Sequence, residues 1–358
     1  MLLEGLHIPL TTPFHPDGRV NLPKLAANIA RYAKSPAAGL LVLGTTGEPT
    51  LLTEDETRDV LRTAAQSAAP EKVLLAGVWR DSVQATLELA SLAAELLYDA
   101  ILAGVPSILA GKVQAGESSA HRRELLLYFQ SVADSSPLPV VLYSDCCLRR
   151  IPQEAVVELA GHRNILGLLD GAAHPAEIEA ILRRSASIQR EVSVTPVFSA
   201  VTARMTVAAS RAPAMLVSAD MLTADQATAA AVVEAKPTQP PLRTRTKSVG
   251  FQVLSGETPA ILDCLRAGAR GTAPALAACA PQACYEVLAA WKDDDQPLAE
   301  EKQARLCEAA RVCEAGIGNL KYACELNGYF GGRSRLPQLP PTGNQRVALE
   351  QAMKTLRN

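Results

Sequence analysis

Eight short apolar runs of strand type, alternating with amphipathic stretches of helical length almost to the end of the chain, predict a parallel-sheet α/β protein and, by their number, a (β/α)8 barrel. Two further observations agree. A length of 358 residues accommodates one such barrel with insertions. Hydrophobic residues make up 48% of the chain and aromatics only 4%, so the core must be aliphatic, as packed α/β layers are.

The expected strands are 6–10, 40–43, 73–78, 100–105, 140–143, 165–168, 251–254 and 272–276. Between and after them lie expected helices at 21–34, 53–68, 81–97, 118–134, 152–161, 174–184, 257–268 and 281–292. Thr53, followed by Glu56 three residues on, has the spacing of a capping box and opens the second helix. Chemistry in such barrels gathers where strands end and βα loops begin, so residues just after each strand are the functional candidates.

Two segments interrupt this count. Residues 187–248 separate the sixth helix from the seventh strand, with an Ala-rich helical piece near 223–235 and a Pro/Arg/Lys-rich stretch over 236–247. They read as an insertion, mobile over 237–247, with Arg243, Arg245 and Lys247 solvated. Residues 297–358 read as further helices outside the barrel, with a Pro-rich connection at 337–341. The expected organisation is therefore a barrel over 1–296 with insertion 187–248, and a helical extension over 297–358. The run Trp291-Lys292-Asp293-Asp294-Asp295 reads as a solvated helix end.

Composition narrows the function classes. A net charge of -2 and a pI near 6.3 provide no field for nucleic acid or an anionic membrane. No stretch reaches the roughly 18 uninterrupted apolar residues of a membrane helix. Residues 1–20 lack a basic start followed by a long apolar run, so a cytoplasmic location is expected. Eight cysteines are scattered without C-x-x-C spacing and read as free thiols in a reducing compartment. Asp145-Cys146-Cys147 at a strand end, with Arg149 and Arg150 nearby, would be the place for a reactive thiol. Five histidines form no H-x-x-x-H pair, and no G-x-G-x-x-G accompanies Gly331-Gly332, so neither metal nor nucleotide cofactor is expected.

The most informative motif is Leu43-Gly44-Thr45-Thr46-Gly47-Glu48-Pro49, which follows the apolar run 40–43. A Gly-Thr-Thr-Gly turn between strand and helix presents N–H and O–H donors to one small anion. Taken with Thr12-Pro13-Phe14 and Asp17-Gly18, Leu142-Tyr143, Ile165-Leu166-Gly167, Leu254-Ser255-Gly256-Glu257 and Gly268-Ala269-Arg270-Gly271, it gives an order of motifs that resembles the dihydrodipicolinate synthase / N-acetylneuraminate lyase group of class I aldolases. The agreement runs from about residue 5 to residue 290, apart from the insertion.

The resemblance implies a lyase-type barrel that binds a 2-oxo acid such as pyruvate, assembled as a homodimer or homotetramer. It assigns Thr45 and Thr46 to the substrate carboxylate, Gly256 to the substrate pocket, and Tyr143 to proton relay and positioning. It also calls for a lysine at the end of the sixth strand, in a G-x-K pattern, whose amine forms a Schiff base with the ketone. The corresponding stretch is Gly167-Leu168-Leu169-Asp170, with leucine at the lysine position and no lysine between Lys112 and Lys236. Two aromatics expected after Pro106 are replaced by Ser107 and Ile108, and a Y-N-x-P-x-R stretch reads Tyr143-Ser144-Asp145-Cys146-Cys147-Leu148-Arg149, with the arginine offset by one.

Three readings follow. The barrel binds a 2-oxo acid with Schiff-base activity absent or very weak, as a pseudoenzyme; or it is an active lyase using another amine, such as Lys112 in the fourth βα loop; or it is a non-catalytic binding or assembly protein. Lys247, before the seventh strand, belongs to the opposite face.

Overall fold

The computed structural model describes residues 1–110, 119–144, 149–172, 174–210 and 242–356. Expected features at Lys112, at Asp145, Cys146 and Cys147, and at 223–235 lie outside these residues.

Eight parallel strands close into a barrel: β1 (Gly5–Pro9), β2 (Gly39–Val42), β3 (Val73–Gly77), β4 (Ala100–Gly104), β5 (Val140–Ser144), β6 (Ile165–Asp170), β9 (Gln252–Ser255) and β10 (Gly271–Thr272). Their spatial order is β1-β10-β9-β6-β5-β4-β3-β2, each strand pairing with the next in parallel. Both faces of these strands are covered, which explains why they read as near-continuous apolar runs. Helices α1 (Leu22–Tyr32), α2 (Glu54–Ser67), α3 (Val83–Glu95), α4 (Ser119–Ser135), α5 (Gln153–Ala160), α6 (Pro175–Arg184), α8 (Ile261–Arg266) and α9 (Pro281–Lys292) surround them. The capping box of α2 forms as expected, with Glu56 N–H donating to Thr53 Oγ1 and Thr53 N–H to the Glu56 carboxylate.

The core has two layers. Outward strand residues such as Leu40, Leu74, Ile101 and Val253 pack against the helices, and inward ones, including Leu41, Leu75, Leu102, Val141, Leu169 and Leu254, fill the barrel. His7 also points inward, beneath Gly39, with Nε2 on the Leu3 carbonyl at 2.9 Å; burial pushes its imidazole down to about 4. A register shift between Val140 and Val141 leaves Leu166 unpaired and sets Tyr143 beside Leu169 and Ser144 beside Asp170.

The structure corrects four expectations. The eighth strand ends at Thr272 and not at 276, because Pro274 has no N–H to continue the ladder and Ala275–Ala278 turns into a 3₁₀ helix. Pro259 likewise splits the expected helix at 257–268 into a 3₁₀ turn, Thr258–Ala260, followed by α8. Within the insertion, β7 (Arg190–Val194) and β8 (Arg245–Val249) form an antiparallel pair, followed in the case of β7 by α7 (Ala203–Ser210), so 245–247 is ordered strand and not mobile chain. Lys247 is not simply solvated either: its half-buried amine meets Glu4 at 3.2 Å, while Lys292, at the helix end that is exposed as expected, meets the other Glu4 oxygen at 3.0 Å.

This pair of strands lies across the N-terminal end of the barrel. Val192 and Val194 pack on Leu2, and α7 is anchored where Ala203 N–H donates to Asp99 at 2.6 Å and Arg204 reaches the Leu97 carbonyl at 3.1 Å. Neither of these two strands lines the cavity at the C-terminal mouth. Beyond α9, the chain continues as α10 (Gln296–Cys313), α11 (Ile317–Leu326) and α12 (Gly343–Met353), of which α10 packs on α9 and α12 on both α10 and α11. No helix among the described residues is long and apolar enough to cross a membrane.

Candidate active site

At the C-terminal end of the barrel, the turn after β2 is built under strain. Leu43 has φ 60° and Glu48 φ 54°, both in the left-handed region that costs a side-chain-bearing residue about 1–3 kcal/mol. Between them Thr45–Gly47 makes one 3₁₀ turn. Gly77 permits the first bend, since a Cβ there would stand 2.1 Å from the Leu43 carbonyl oxygen.

Anchors on all sides offset this strain. Thr12 donates to the Gly47 carbonyl at 2.7 Å, and the Thr46 hydroxyl donates to the Leu10 carbonyl at 3.3 Å. The Glu48 carboxylate is buried against the amine of Lys321, which reaches in from α11 and also donates to the Arg333 carbonyl at 3.0 Å. Lys321 is 1% exposed, and burial pushes its amine below the usual lysine range. Phe14 lies between two cations, Lys321 at 4.3 Å and Arg335 at 4.4 Å from its ring centre. Arg335 makes two 2.6 Å bonds to Glu56, which hold that carboxyl below its usual range.

Tyr143, the penultimate residue of β5, faces inward, its hydroxyl 3.2 Å from Thr45 Oγ1 and its ring centre 5.3 Å from that of Trp79. Gly256, after β9, donates its N–H to the Asp170 carbonyl at 2.8 Å; a Cβ at this position would crowd Gly171 Cα at 3.0 Å. The structure thus brings Thr45, Thr46, Tyr143, Leu169 and Gly256 together to line one cavity of about 140 Å³, with Pro9, Leu102 and Glu257. That space equals roughly four to five water molecules of liquid and suits a ligand of a few heavy atoms.

The cavity's chemistry is that of a small polar recess with an apolar floor. Donors come from the Thr45–Tyr143 hydroxyl pair and the N–H groups opening the 3₁₀ turn, which have no partner inside it. Thr46 contributes its backbone, because its hydroxyl proton is directed to Leu10. Beside Tyr143, Leu169 is 3% exposed and packs among the inward hydrocarbon side chains. No lysine, arginine or histidine among the described residues lines the cavity. Nor does any cluster of three His, Cys, Asp or Glu among them have metal-binding geometry. The six cysteines among the described residues form no disulfide; five of them are buried, and burial drives the Cys264 thiol up to about 11 and that of Cys324 to about 12. Arg149 bonds Ser107 at 3.0 Å, and Ile108 is 63% exposed. A larger cavity, about 600 Å³, lies at the opposite end beside Leu2, Glu4 and Lys247, away from the ends of the strands where barrel chemistry is carried.

Sequence reasoning missed Trp79, Lys321 and Arg335. Trp79, directly after the third expected strand, stood where a loop residue should be weighed; the other two lie in the extension and carry no local signal.

Comparison with known proteins gives the following. Residues 2–194 match the dihydrodipicolinate synthetase family. A 4-hydroxy-tetrahydrodipicolinate synthase of Xanthomonas axonopodis pv. citri (strain 306) is 34% identical over 187 residues, 51% of this chain and 58% of that protein. An L-threo-3-deoxy-hexylosonate aldolase of Hypocrea jecorina is 34% identical over 174 residues, 46% and 52% respectively, so the chain matches little more than half the length of these two relatives. A 4-hydroxy-tetrahydrodipicolinate synthase of Acidiphilium cryptum (strain JF-5) is 25% identical over 365 residues, 99% of each. Among solved structures, dihydrodipicolinate synthase DapA-2 from Bacillus anthracis superposes with TM-score 0.74 at 19% identity, covering all of both chains. The Escherichia coli K12 prophage protein YagE, solved with pyruvate, gives TM-score 0.73 at 22% identity over 99% of each chain. At these identities the structural likeness shows the fold alone.

Proposed function

This chain belongs to the dihydrodipicolinate synthetase family, and from that premise we propose that its barrel binds a small 2-oxo acid such as pyruvate while lacking the covalent step of a Schiff-base aldolase. The carboxylate is received by the turn at Thr45 and Thr46, through the Thr45 hydroxyl and the turn's N–H groups. Tyr143, hydrogen-bonded to Thr45, orients the ligand, and Gly256 leaves room for it on the far wall. The pyruvate bound in YagE supports the ligand class.

The observation that carries the reading is Leu169. A Schiff-base aldolase needs a primary amine that adds to the ketone and expels water, leaving a protonated imine as the electron sink for making or breaking a carbon–carbon bond. Leucine has no lone pair to add. Its side chain lies on the cavity wall beside Tyr143, where the resemblance calls for that amine. The competing reading, an active lyase using another amine, finds no amine among the described residues of the cavity lining; Lys112, its named candidate, lies outside the described residues. Calorimetry with pyruvate, run beside borohydride reduction and intact-mass measurement, separates the two: binding without adduct is the expected result, and a pyruvyl adduct on wild-type protein overturns it. The resemblance also leads us to expect a homodimer or homotetramer.

A further inference from the structure

Glu314 follows α10, outside the barrel, yet its Oε1 accepts two hydrogen bonds from the barrel's C-terminal rim: from the Thr258 hydroxyl at 2.6 Å and from Leu276 N–H at 2.7 Å. Thr258 directly follows Gly256 and Glu257, and Leu276 directly follows Ala275; all three of those residues lie on the cavity wall. One carboxyl therefore ties together the loops after β9 and β10 at the place where both form the cavity.

Among the described residues, the groups acting on it supply no positive charge. Glu257 is the charged neighbour acting on it from the β9 loop, and the Cys284 thiol faces it from α9. From α10, Gln303 donates to the Thr258 and Pro259 carbonyls and is neutral. No cation pairs with Glu314 among the described residues. Burial, with Glu257 adding to it, raises the Glu314 carboxyl to about 7 against the pull of its two hydrogen bonds.

We propose that Glu314 tunes the cavity for anions: a neutral carboxyl there leaves Glu257 as the acid on the wall and lets a 2-oxo acid bind, whereas an ionised one adds a second negative charge behind the same wall and weakens binding. The inference rests on the reading of the cavity as a 2-oxo acid site. Glu314 acts through Thr258 and Leu276 and through its field, and does not touch the ligand. By linkage the coupling is reciprocal, so binding the anion near neutral pH draws a proton onto Glu314.

The test is pyruvate calorimetry on the full chain at pH 6 and pH 8, for wild type and Glu314→Gln, which keeps the Oε1 acceptor. Wild-type affinity is expected to weaken on the order of fivefold from pH 6 to pH 8, the lower end of ordinary site-to-site coupling. The variant is expected to bind equally at both pH values, close to the wild-type value at pH 6. Should the variant fail to fold, wild-type titrations at pH 7 in two buffers of different ionisation enthalpy report the proton uptake directly. Pyruvate binding with the same pH dependence in both proteins, or with no proton uptake, overturns this inference and leaves the ligand reading standing. No binding in either protein at any pH overturns both.

Discussion

Replacing Lys321 by methionine is expected to be among the most damaging single changes to the barrel's mouth. In the parent, the Lys321 and Glu48 side chains are 1% and 4% exposed and face each other directly. Methionine fills most of the space of the lysine stem but removes the charge. The Glu48 carboxylate then keeps, among its described contacts, a 3.4 Å bond from Arg335 N–H, in a place that water does not reach. Breaking a buried pair from one side costs about 3–5 kcal/mol, and Phe14 loses one of its two cations as well. For a chain of this size a loss of that order lowers the melting temperature by roughly 4–7 °C, read by differential scanning calorimetry. The double variant Lys321→Met with Glu48→Gln leaves no stranded charge and should recover most of the loss, because the desolvation penalty of the pair disappears with it. A single variant melting within about 2 °C of wild type, or a double variant no better than the single, would refute the assignment of this pair as the clamp on the Thr45–Gly47 turn.

Two further outcomes are expected. His7 has its folded pKa lowered to about 4 by burial, so the unfolded chain binds the proton more tightly; stability should be lost as pH falls from about 6.5 to about 4, by up to about 3 kcal/mol, and His7→Gln should flatten that limb of the melting-temperature profile. Leu169→Lys should restore borohydride trapping of pyruvate if the amine emerges beside Tyr143 as the wall geometry indicates; a folded variant that binds pyruvate and forms no adduct would show that one side chain does not complete the chemistry.

Much of the fold was legible because it rests on local pattern. The eight barrel strands are buried on both faces and therefore announce themselves as apolar runs, and the Thr53–Glu56 box marks its helix start without help from tertiary contacts. The insertion was not legible. Arg245–Val249 reads as a polar stretch because only its pairing with Arg190–Val194 makes it a strand. Prolines 259 and 274 were present in the sequence, and weighing their missing N–H groups would have shortened the two elements they interrupt.

The site divides in the same way. Thr45, Thr46, Tyr143, Leu169 and Gly256 lie in the last residues of strands or just after them, in motif order, and the barrel brings them to one cavity. What stabilises and tunes that cavity comes from the extension: Lys321 lies 273 positions beyond Glu48, and Glu314 is 56 positions beyond Thr258. Separations of that size leave no periodic trace. Even the hydroxyl of Thr46, a natural donor on paper, proves to be directed to a backbone carbonyl from the preceding βα loop.

The loss of covalent chemistry is tested most directly by incubating the wild-type protein with pyruvate and borohydride and weighing the intact chain. The expected spectrum shows the unmodified mass alone, while calorimetry on the same preparation shows pyruvate bound. A mass increase corresponding to a reduced pyruvyl group on any lysine would contradict the reading of Leu169 as the end of Schiff-base catalysis in this barrel.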